Sequence, residues 1–286
     1  MKITGVKTAA VQGNFEWILV RVYTDEGLVG LGECYWGAGV EAVVHHMESL
    51  LVGEDPHNVD WLFQKLVRGM SGAGSTAGTV VADTSTVSPS ESRRIGQALA
   101  ARGIHFLDAP CTGSKPGAES GTLTFMVGGD REVFERVRPY FECMGKQFYY
   151  CGGPGLGLHA KLTQNLILSN IMQAFSEGLV LSTKAGVDPR TMLEILNNSA
   201  ARSGLIAFKA PYVFARDFGT NFALKWMEKD VDLALDSGRE LNVPLPLTAA
   251  AQQVLRAALA LGLGEEDFCS VIKVIEGMTG VEVRTP

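Results

Sequence analysis

The pattern of apolar and polar positions changes twice along the 286-residue chain. Three β-rich runs come first, at residues 1–12, 16–24 and 28–36. Because the links between them are short, we expect the three strands to pair antiparallel. Two helical stretches follow at residues 40–51 and 57–68, on either side of an Asp55-Pro56 break. Residues 1–75 therefore predict a small antiparallel α+β domain.

From residue 76 onward, apolar strands alternate with amphipathic helices. The strand-like runs lie at residues 79–86, 104–110, 123–129 and 147–152, and the helical runs at 88–103 and 131–145. Ser88 and Pro89 are typical of a helix N-cap and first turn. This alternation predicts a mainly parallel, doubly wound sheet over residues 76–157.

After residue 157 the pattern is helical throughout. The predicted helices cover residues 158–186, 188–199, 223–240, 247–261 and 266–276. The first is apolar on most sides, which indicates a buried helix. The predicted fold class is thus α/β plus all-α, with an all-helical domain over residues 158–286.

Composition narrows the function classes. The formal net charge is −6, with 46% hydrophobic and 20% charged residues, which argues against a partner that is nucleic acid or an anionic membrane. No apolar run reaches the length of a membrane span. The five cysteines form no C-x-x-C pair, so we expect reduced thiols in a cytoplasmic protein. No metal site is expected, since adjacent His45 and His46 point in different directions on a helix.

The segment "GLGLHA", residues 155–160, fits the dinucleotide pattern G-x-G-x-x-G/A. That motif also needs a second strand carrying an acidic residue about 20 positions later. Glu177 has this spacing but falls inside the long helix. The segment is therefore interpreted as a strand-to-helix turn, whose glycines allow close packing of the helix on the sheet. A second match, residues 72–77, precedes a strand and is interpreted as a flexible junction.

Lys161 is the candidate for proton transfer. The pattern places it in the first turn of the long helix, where the positive helix end and burial disfavour its charged form and lower its pKa. Such a lysine exchanges protons with a hydroxyl or carbonyl oxygen near neutral pH. Asn165, four residues later, shares its helix face. From spacing alone, a surface lysine extending to water remains the alternative.

Further motifs occur in a fixed order around this segment. "DTSTVSP" covers residues 83–89, "DAPCTGSKPGAESGTLTFMVGG" covers 108–129 and "KDVDLAL" covers 229–235. Together with "GLGLHAKLTQN" and the closing "GLGEEDFCSV", they resemble the β-hydroxyacid dehydrogenase family, which includes 3-hydroxyisobutyrate dehydrogenase and glyoxylate/succinic semialdehyde reductases. The resemblance implies NAD or NADP as cofactor and hydride transfer to or from a small hydroxy acid or aldehyde acid.

The resemblance also implies roles for single residues. Lys161 matches the catalytic lysine that handles the proton of the substrate oxygen, and Asn165 matches the asparagine beside it. Thr112 and Gly113 match the Ser-Gly segment that binds the substrate carboxylate, and the threonine keeps the hydroxyl. Cys111 stands where the family usually has valine.

Thr86 and Lys229 match family positions that contact the nicotinamide cofactor. Taken singly, a turn threonine and a solvated helix lysine have ordinary structural explanations, and only the family order favours a role in binding. The family also implies a homodimer or tetramer.

Residues 1–75 resemble a different protein, the N-terminal capping domain of the enolase superfamily of the mandelate racemase/muconate lactonizing type. The matching segments are "MKITGVKTAAV", "WILVRVYTDEGLVGLGE" and "LLVGEDPHNVDWLFQKLVR". No barrel follows, so Glu33 and Asp55 are expected to be surface residues rather than metal ligands. The chain then has only the second half of a Rossmann-like sheet and lacks the G-x-G-x-x-G half, which implies weakened or lost cofactor binding.

Three functions remain open at this point. The first is an NAD(P)-dependent dehydrogenase with Lys161 as acid and base. The second is a non-catalytic fusion or helical assembly module. The third is a fragment of an enolase-superfamily enzyme.

Overall fold

The first three strands form one antiparallel sheet, as their short links predict. They are β1 (Ile3–Gln12), β2 (Glu16–Thr24) and β3 (Val29–Cys34), in the order β1-β2-β3. Helix α1 (Val40–Leu51) has the predicted bounds. It packs Val44 and Leu51 with Ile3 and Val6 in a small core.

The computed structural model describes residues 1–12, 16–34, 40–58, 62, 65–66 and 78–284. Most of the predicted helix at 57–68 and the whole of the glycine-rich match at 72–77 lie outside these residues. The chain divides into two compact units, Met1–Thr79 and Val80–Pro286.

The second unit begins with a five-stranded sheet and three helices. The strands are β4 (Val80–Asp83), β5 (His105–Asp108), β6 (Cys111–Thr112), β7 (Leu123–Gly129) and β8 (Gly145–Gly152). The helices are α2 (Pro89–Ala100), α3 (Ser114–Glu119) and α4 (Arg131–Glu142). The hydroxyl of Ser88 caps α2 by accepting from the Glu91 N–H, which confirms the predicted N-cap.

The sheet is mixed, so the prediction of a mainly parallel sheet is wrong in part. The β4–β5 and β7–β8 pairs are parallel, but β7 runs antiparallel to both β5 and β6. A parallel neighbour needs a crossover of a dozen or more residues, usually a helix. Between β5 and β7 the chain has the two-residue β6 and the six-residue α3, and it returns in the opposite direction.

The rest of the second unit is helical in its described residues, as predicted. The helices are α5 (Leu156–Lys184), α6 (Pro189–Asn197), α7 (Gly204–Ala215), α8 (Leu224–Leu241), α9 (Pro246–Ala260) and α10 (Ile272–Thr279), with a short 3₁₀ helix at Phe268–Val271. Helix α5 is central, and its Met172, Phe175 and Leu179 are buried in one core with Met227 and Val231 of α8. This confirms the buried long helix.

Helix α7 is absent from the sequence-based expectations. It contains Pro211, which lacks a backbone N–H and interrupts helical patterns. The signal that does mark it is Ser203, whose hydroxyl accepts from the Leu205 N–H as an N-cap.

Candidate active site

One cavity of about 540 Å³ in the second unit collects most of the predicted site residues. It is lined by Thr86, Thr112, Gly113, Lys161 and Asn165. These residues come from the loop after β4, the β6–α3 junction and helix α5. They are up to 79 positions apart in sequence (165 − 86), and the sheet and α5 bring them to one place.

The position of Lys161 is set by the start of α5, which a buried aspartate fixes. The Asp108 carboxylate accepts hydrogen bonds from the backbone N–H groups of Gly155 (2.7 Å) and Leu158 (2.9 Å). Burial raises the pKa of Asp108, and these backbone hydrogen bonds act in the opposite direction. Helix α5 begins at Leu156, so Lys161 is its sixth residue and lies in the second turn. The prediction that it lies in the first turn is wrong.

Gly157 brings α5 against the sheet. A Cβ atom there would be 2.4 Å from the Met126 carbonyl oxygen and 2.8 Å from that of Asp108, so only glycine fits. This confirms the close packing predicted for the 155–160 turn. The turn is not a phosphate cradle, since Asp108 already binds two of the N–H groups at the helix start.

Lys161 is 7% exposed and lines the cavity. Within the described part of the chain its one hydrogen-bond acceptor is the Gln164 side-chain oxygen, at 3.4 Å. Burial lowers the pKa of Lys161, and the positive charge of Lys229 acts in the same direction; the charges of Asp230 and Cys111 oppose it. The direction agrees with the sequence-based expectation, and burial is the main cause.

A chain of hydrogen bonds joins Asn165 to the loop after β4. The Asn165 amide donates to Asp230 Oδ2 at 2.5 Å, and the Lys229 ammonium donates to Asp230 Oδ1 at 2.6 Å. The same ammonium donates to the carbonyl oxygen of Thr86 at 2.6 Å. Asp230 is 2% exposed and lines the cavity, whereas Lys229 is not among the lining residues.

The short strand β6 carries the predicted carboxylate segment. Thr112 pairs with Thr124 of β7, and Gly113 follows with φ 136°, a conformation that favours glycine. Cys111 also lines the cavity. Burial raises the pKa of the Cys111 thiol, while the charge of Lys161 opposes that rise.

Sequence reasoning did not identify a buried ion pair that involves one of the lining residues. Lys209 lines it and forms a 2.8 Å ion pair with Asp267, and both side chains are 2% exposed. Lys209 was missed because α7 was missed. Asp267 lies in "GLGEEDFCSV", and its local signal is that of an N-cap, because its side chain accepts from the Cys269 N–H at the start of the 3₁₀ helix.

Metal sites and membrane-spanning helices are two further classes of feature to consider in the described residues. No group of three or more His, Cys, Asp or Glu side chains there is arranged to hold a metal ion. Asp55 pairs with His57 at 3.0 Å and is exposed. Among the same residues, none of the helices has the length and hydropathy needed to cross a bilayer.

Two family models match the chain, both of NAD-binding domains. The model for the NAD-binding domain of NADP-dependent 3-hydroxyisobutyrate dehydrogenase matches residues 155–275. The model for the NAD binding domain of 6-phosphogluconate dehydrogenase matches residues 39–153. The second match begins at residue 39, inside the region predicted as a capping domain.

Curated relatives and solved structures agree with these models. The 2-(hydroxymethyl)glutarate dehydrogenase of Eubacterium barkeri is 45% identical over 208 residues, covering 72% of this chain and 69% of the relative. The chloroplastic glyoxylate/succinic semialdehyde reductase 2 of Arabidopsis thaliana is 33% identical over 252 residues, covering 87% of this chain and 69% of the relative. The 3-hydroxyisobutyrate dehydrogenase of Mycobacterium tuberculosis, solved with L-serine, has a TM-score of 0.69 at 28% identity, covering 75% of this chain and 76% of that structure.

A mixed α/β fold, with a sheet and a helical C-terminal domain, is thus consistent with the solved 3-hydroxyisobutyrate dehydrogenase structures. The chain belongs to the β-hydroxyacid dehydrogenase family.

Two parts of a nicotinamide dinucleotide need a binding site, the nicotinamide and the pyrophosphate. At the cavity, Thr86 is a lining residue whose carbonyl oxygen accepts a hydrogen bond from Lys229. For the pyrophosphate end a strand, a glycine turn and a helix with free N–H groups are needed. Among the described residues one such turn is present, at 155–160. Its Gly155 and Leu158 N–H groups already donate to the Asp108 carboxylate.

Proposed function

We propose that the protein is an NAD(P)-dependent oxidoreductase that interconverts a small hydroxy acid and the corresponding aldehyde acid. The observation that carries the proposal is the environment of Lys161, a buried ammonium in a cavity shared with Thr112 and Asn165. The nicotinamide cofactor supplies or accepts the hydride, and the residues of this chain hold the substrate and move its proton.

Lys161 is the acid and base of this proposal. When an aldehyde is reduced, its ammonium donates a proton to the substrate oxygen, and when an alcohol is oxidised, the neutral amine accepts that proton. The lowered pKa of Lys161 makes both forms accessible closer to neutral pH than for a lysine in water.

The other residues bind and orient. The Thr112 hydroxyl and the backbone at Gly113 are proposed to bind the substrate carboxylate. Asn165 uses its amide N–H on Asp230, which leaves its carbonyl oxygen for the reacting hydroxyl. Thr86 and Lys229 are proposed to hold the nicotinamide end.

We further propose that the dinucleotide loop is absent from this chain, so that NAD or NADP binds weakly. Support comes from β4, the first strand of the second unit. Among the described residues β4 pairs with β5 alone, so no preceding strand of a complete nucleotide-binding sheet is seen beside it. The antiparallel sheet of the first unit agrees with the proposed enolase-type cap over residues 1–75, joined by fusion. A homodimer or tetramer, as the family implies, stays part of the proposal and is measurable by light scattering.

The test is to titrate the protein with NADH and NADPH by fluorescence, and then to assay small hydroxy acids and semialdehydes with the bound cofactor. We expect binding at high micromolar to millimolar cofactor and turnover of a hydroxy acid. A chain that binds neither cofactor at millimolar concentration, while staying folded, would be a non-catalytic fusion or assembly module.

A further inference from the structure

Lys209 lines the part of the cavity wall that α7 and the 3₁₀ helix contribute, and it forms a buried ion pair with Asp267. Both side chains are 2% exposed and their charged atoms are 2.8 Å apart. Buried ion pairs contribute little net stability, because the loss of hydration offsets the attraction. The small net contribution of this ion pair to the stability of the fold therefore does not explain why a charged lysine lines the cavity.

The Asp267 carboxylate accepts hydrogen bonds from several other donors besides the Lys209 ammonium. Its Oδ2 also accepts from the backbone N–H groups of Asn221 and Phe222, each at 3.1 Å, and its Oδ1 accepts from the Cys269 N–H at 3.1 Å. Its negative charge is thus shared among three backbone donors as well as the ammonium.

Lys209, by contrast, has donors left over. An ammonium group carries three N–H bonds. In the residues that the structure describes, Asp267 Oδ2 is the one acceptor of the Lys209 ammonium. Two N–H bonds therefore remain for a ligand in the cavity that Lys209 lines.

The surroundings of this ammonium are aromatic on two sides. Its nitrogen is 4.7 Å from the centre of the Phe208 ring and 5.1 Å from that of Phe268, and both rings line the cavity. Aromatic faces attract a cation but do not replace a strong hydrogen-bond acceptor. In so apolar a wall a charge-assisted hydrogen bond is stronger than in water.

We propose that Lys209 binds a second carboxylate of the substrate, which makes the substrate a dicarboxylic hydroxy acid or semialdehyde. This rests on the proposed function: one carboxylate binds at Thr112 and Gly113, the reacting carbon lies at Lys161, and the distal carboxylate binds Lys209. The 45% identical relative is named for 2-(hydroxymethyl)glutarate, a dicarboxylate.

The experiment compares two ligands with the same hydroxymethyl acid end, 2-(hydroxymethyl)glutarate and 2-(hydroxymethyl)pentanoate, in which a methyl group replaces the distal carboxylate. Binding to the full chain without cofactor is measured by calorimetry, and oxidation is measured with NAD and NADP. The measured quantity is the ratio of the two affinities. The wild-type protein should favour the dicarboxylate by at least about tenfold, as expected for a hydrogen bond to a charged group.

Lys209→Met should bring this ratio close to one, while Lys209→Arg keeps the charge and most of the preference. Lys184→Met is the matched control, since that exposed lysine bonds the Thr279 carbonyl oxygen outside the cavity; it should keep the wild-type ratio.

A wild-type ratio near one overturns the inference without any variant, and so does a folded Lys209→Met protein that keeps the preference. Oxidation of both compounds with equal efficiency would leave the proposed dehydrogenase function intact and remove only the dicarboxylate assignment. If neither compound binds or is oxidised, the dicarboxylate inference fails, while the proposed function is judged separately by the titration with NADH and NADPH and the assay of other hydroxy acids.

Discussion

The Lys229 ammonium donates a 2.6 Å hydrogen bond to the carbonyl oxygen of Thr86, 143 residues earlier in the chain. The same ammonium binds Asp230, which holds Asn165. Helix α8 therefore ties the loop after β4 to the residue that lies beside Lys161 on α5. The proposed cofactor end and the proposed substrate end share one set of hydrogen bonds.

Replacing Lys229 with alanine should weaken cofactor binding. The change removes the donor that fixes the Thr86 loop, and loss of a hydrogen bond to a charged group corresponds to a weakening on the order of tenfold. Fluorescence titration with NADPH measures it. Lys225→Ala is the control, because that lysine lies on the same helix but pairs with Glu265. Equal affinities for the two variants would contradict the role of Lys229.

Lys161→Ala should lower kcat for hydroxy acid oxidation by roughly 10²–10⁴-fold, the usual contribution of a positioned acid or base. In the wild-type protein, oxidation should rise with pH as Lys161 loses its proton, and this rise should come below the ordinary lysine pKa of 10.5 because burial lowers the pKa. Reduction should show the opposite trend. Steady-state rates across pH 6–10 check this, and the same pH profile in Lys161→Ala would rule Lys161 out.

The buried charge of Lys161 should lower the free energy of unfolding near neutral pH. Because the folded pKa of Lys161 is lowered, the folded state binds fewer protons than the unfolded state between that pKa and 10.5, and stability rises with pH in this window. Lys161→Met should therefore be more stable than wild type at neutral pH, with a difference that shrinks as the pH approaches 10.5. Urea unfolding at pH 7 and pH 10 measures both free energies. A difference that does not change with pH would assign the effect to packing instead.

Gly157→Ala should destabilise the second unit by about 1–3 kcal/mol, as expected when extra atoms enter a packed interior. Its Cβ would meet the Met126 carbonyl oxygen at 2.4 Å and push α5 away from the sheet. Gly178→Ala, in the same helix with nothing within 4 Å of the new Cβ, should stabilise by about 0.5–1 kcal/mol. Thermal unfolding of both variants tests the pair, and similar shifts in Tm would contradict the close contact at Gly157.

Elements with a local signal were predictable from the sequence. The cap at Ser88 and the antiparallel pairing of the first three strands follow from short-range chemistry, and both are confirmed. The direction of β7 was not predictable in the same way, because it depends on how the chain crosses from β5 over β6 and α3. That path is set by tertiary packing rather than by the period of apolar residues.

The residues of the candidate site also differ in whether a local sequence signal indicates them. Lys161 and Thr112 stood out because their motifs occur in family order, and the structure places both at one cavity. The Lys209–Asp267 pair joins residues 58 positions apart, on elements whose sequences give no sign that they meet. Such a contact is visible only once the helices are packed.

The four-residue length of β4 bears on how this protein behaves in concentrated solution. Among the described residues β4 has one sheet neighbour, as an edge strand does. Long, flat edge strands present unpaired backbone N–H and C=O groups and promote aggregation. Four residues provide too few ladder bonds to hold an incoming chain for long. The short length of β4 therefore limits pairing with other chains, and we expect that lengthening β4 by design would favour self-association.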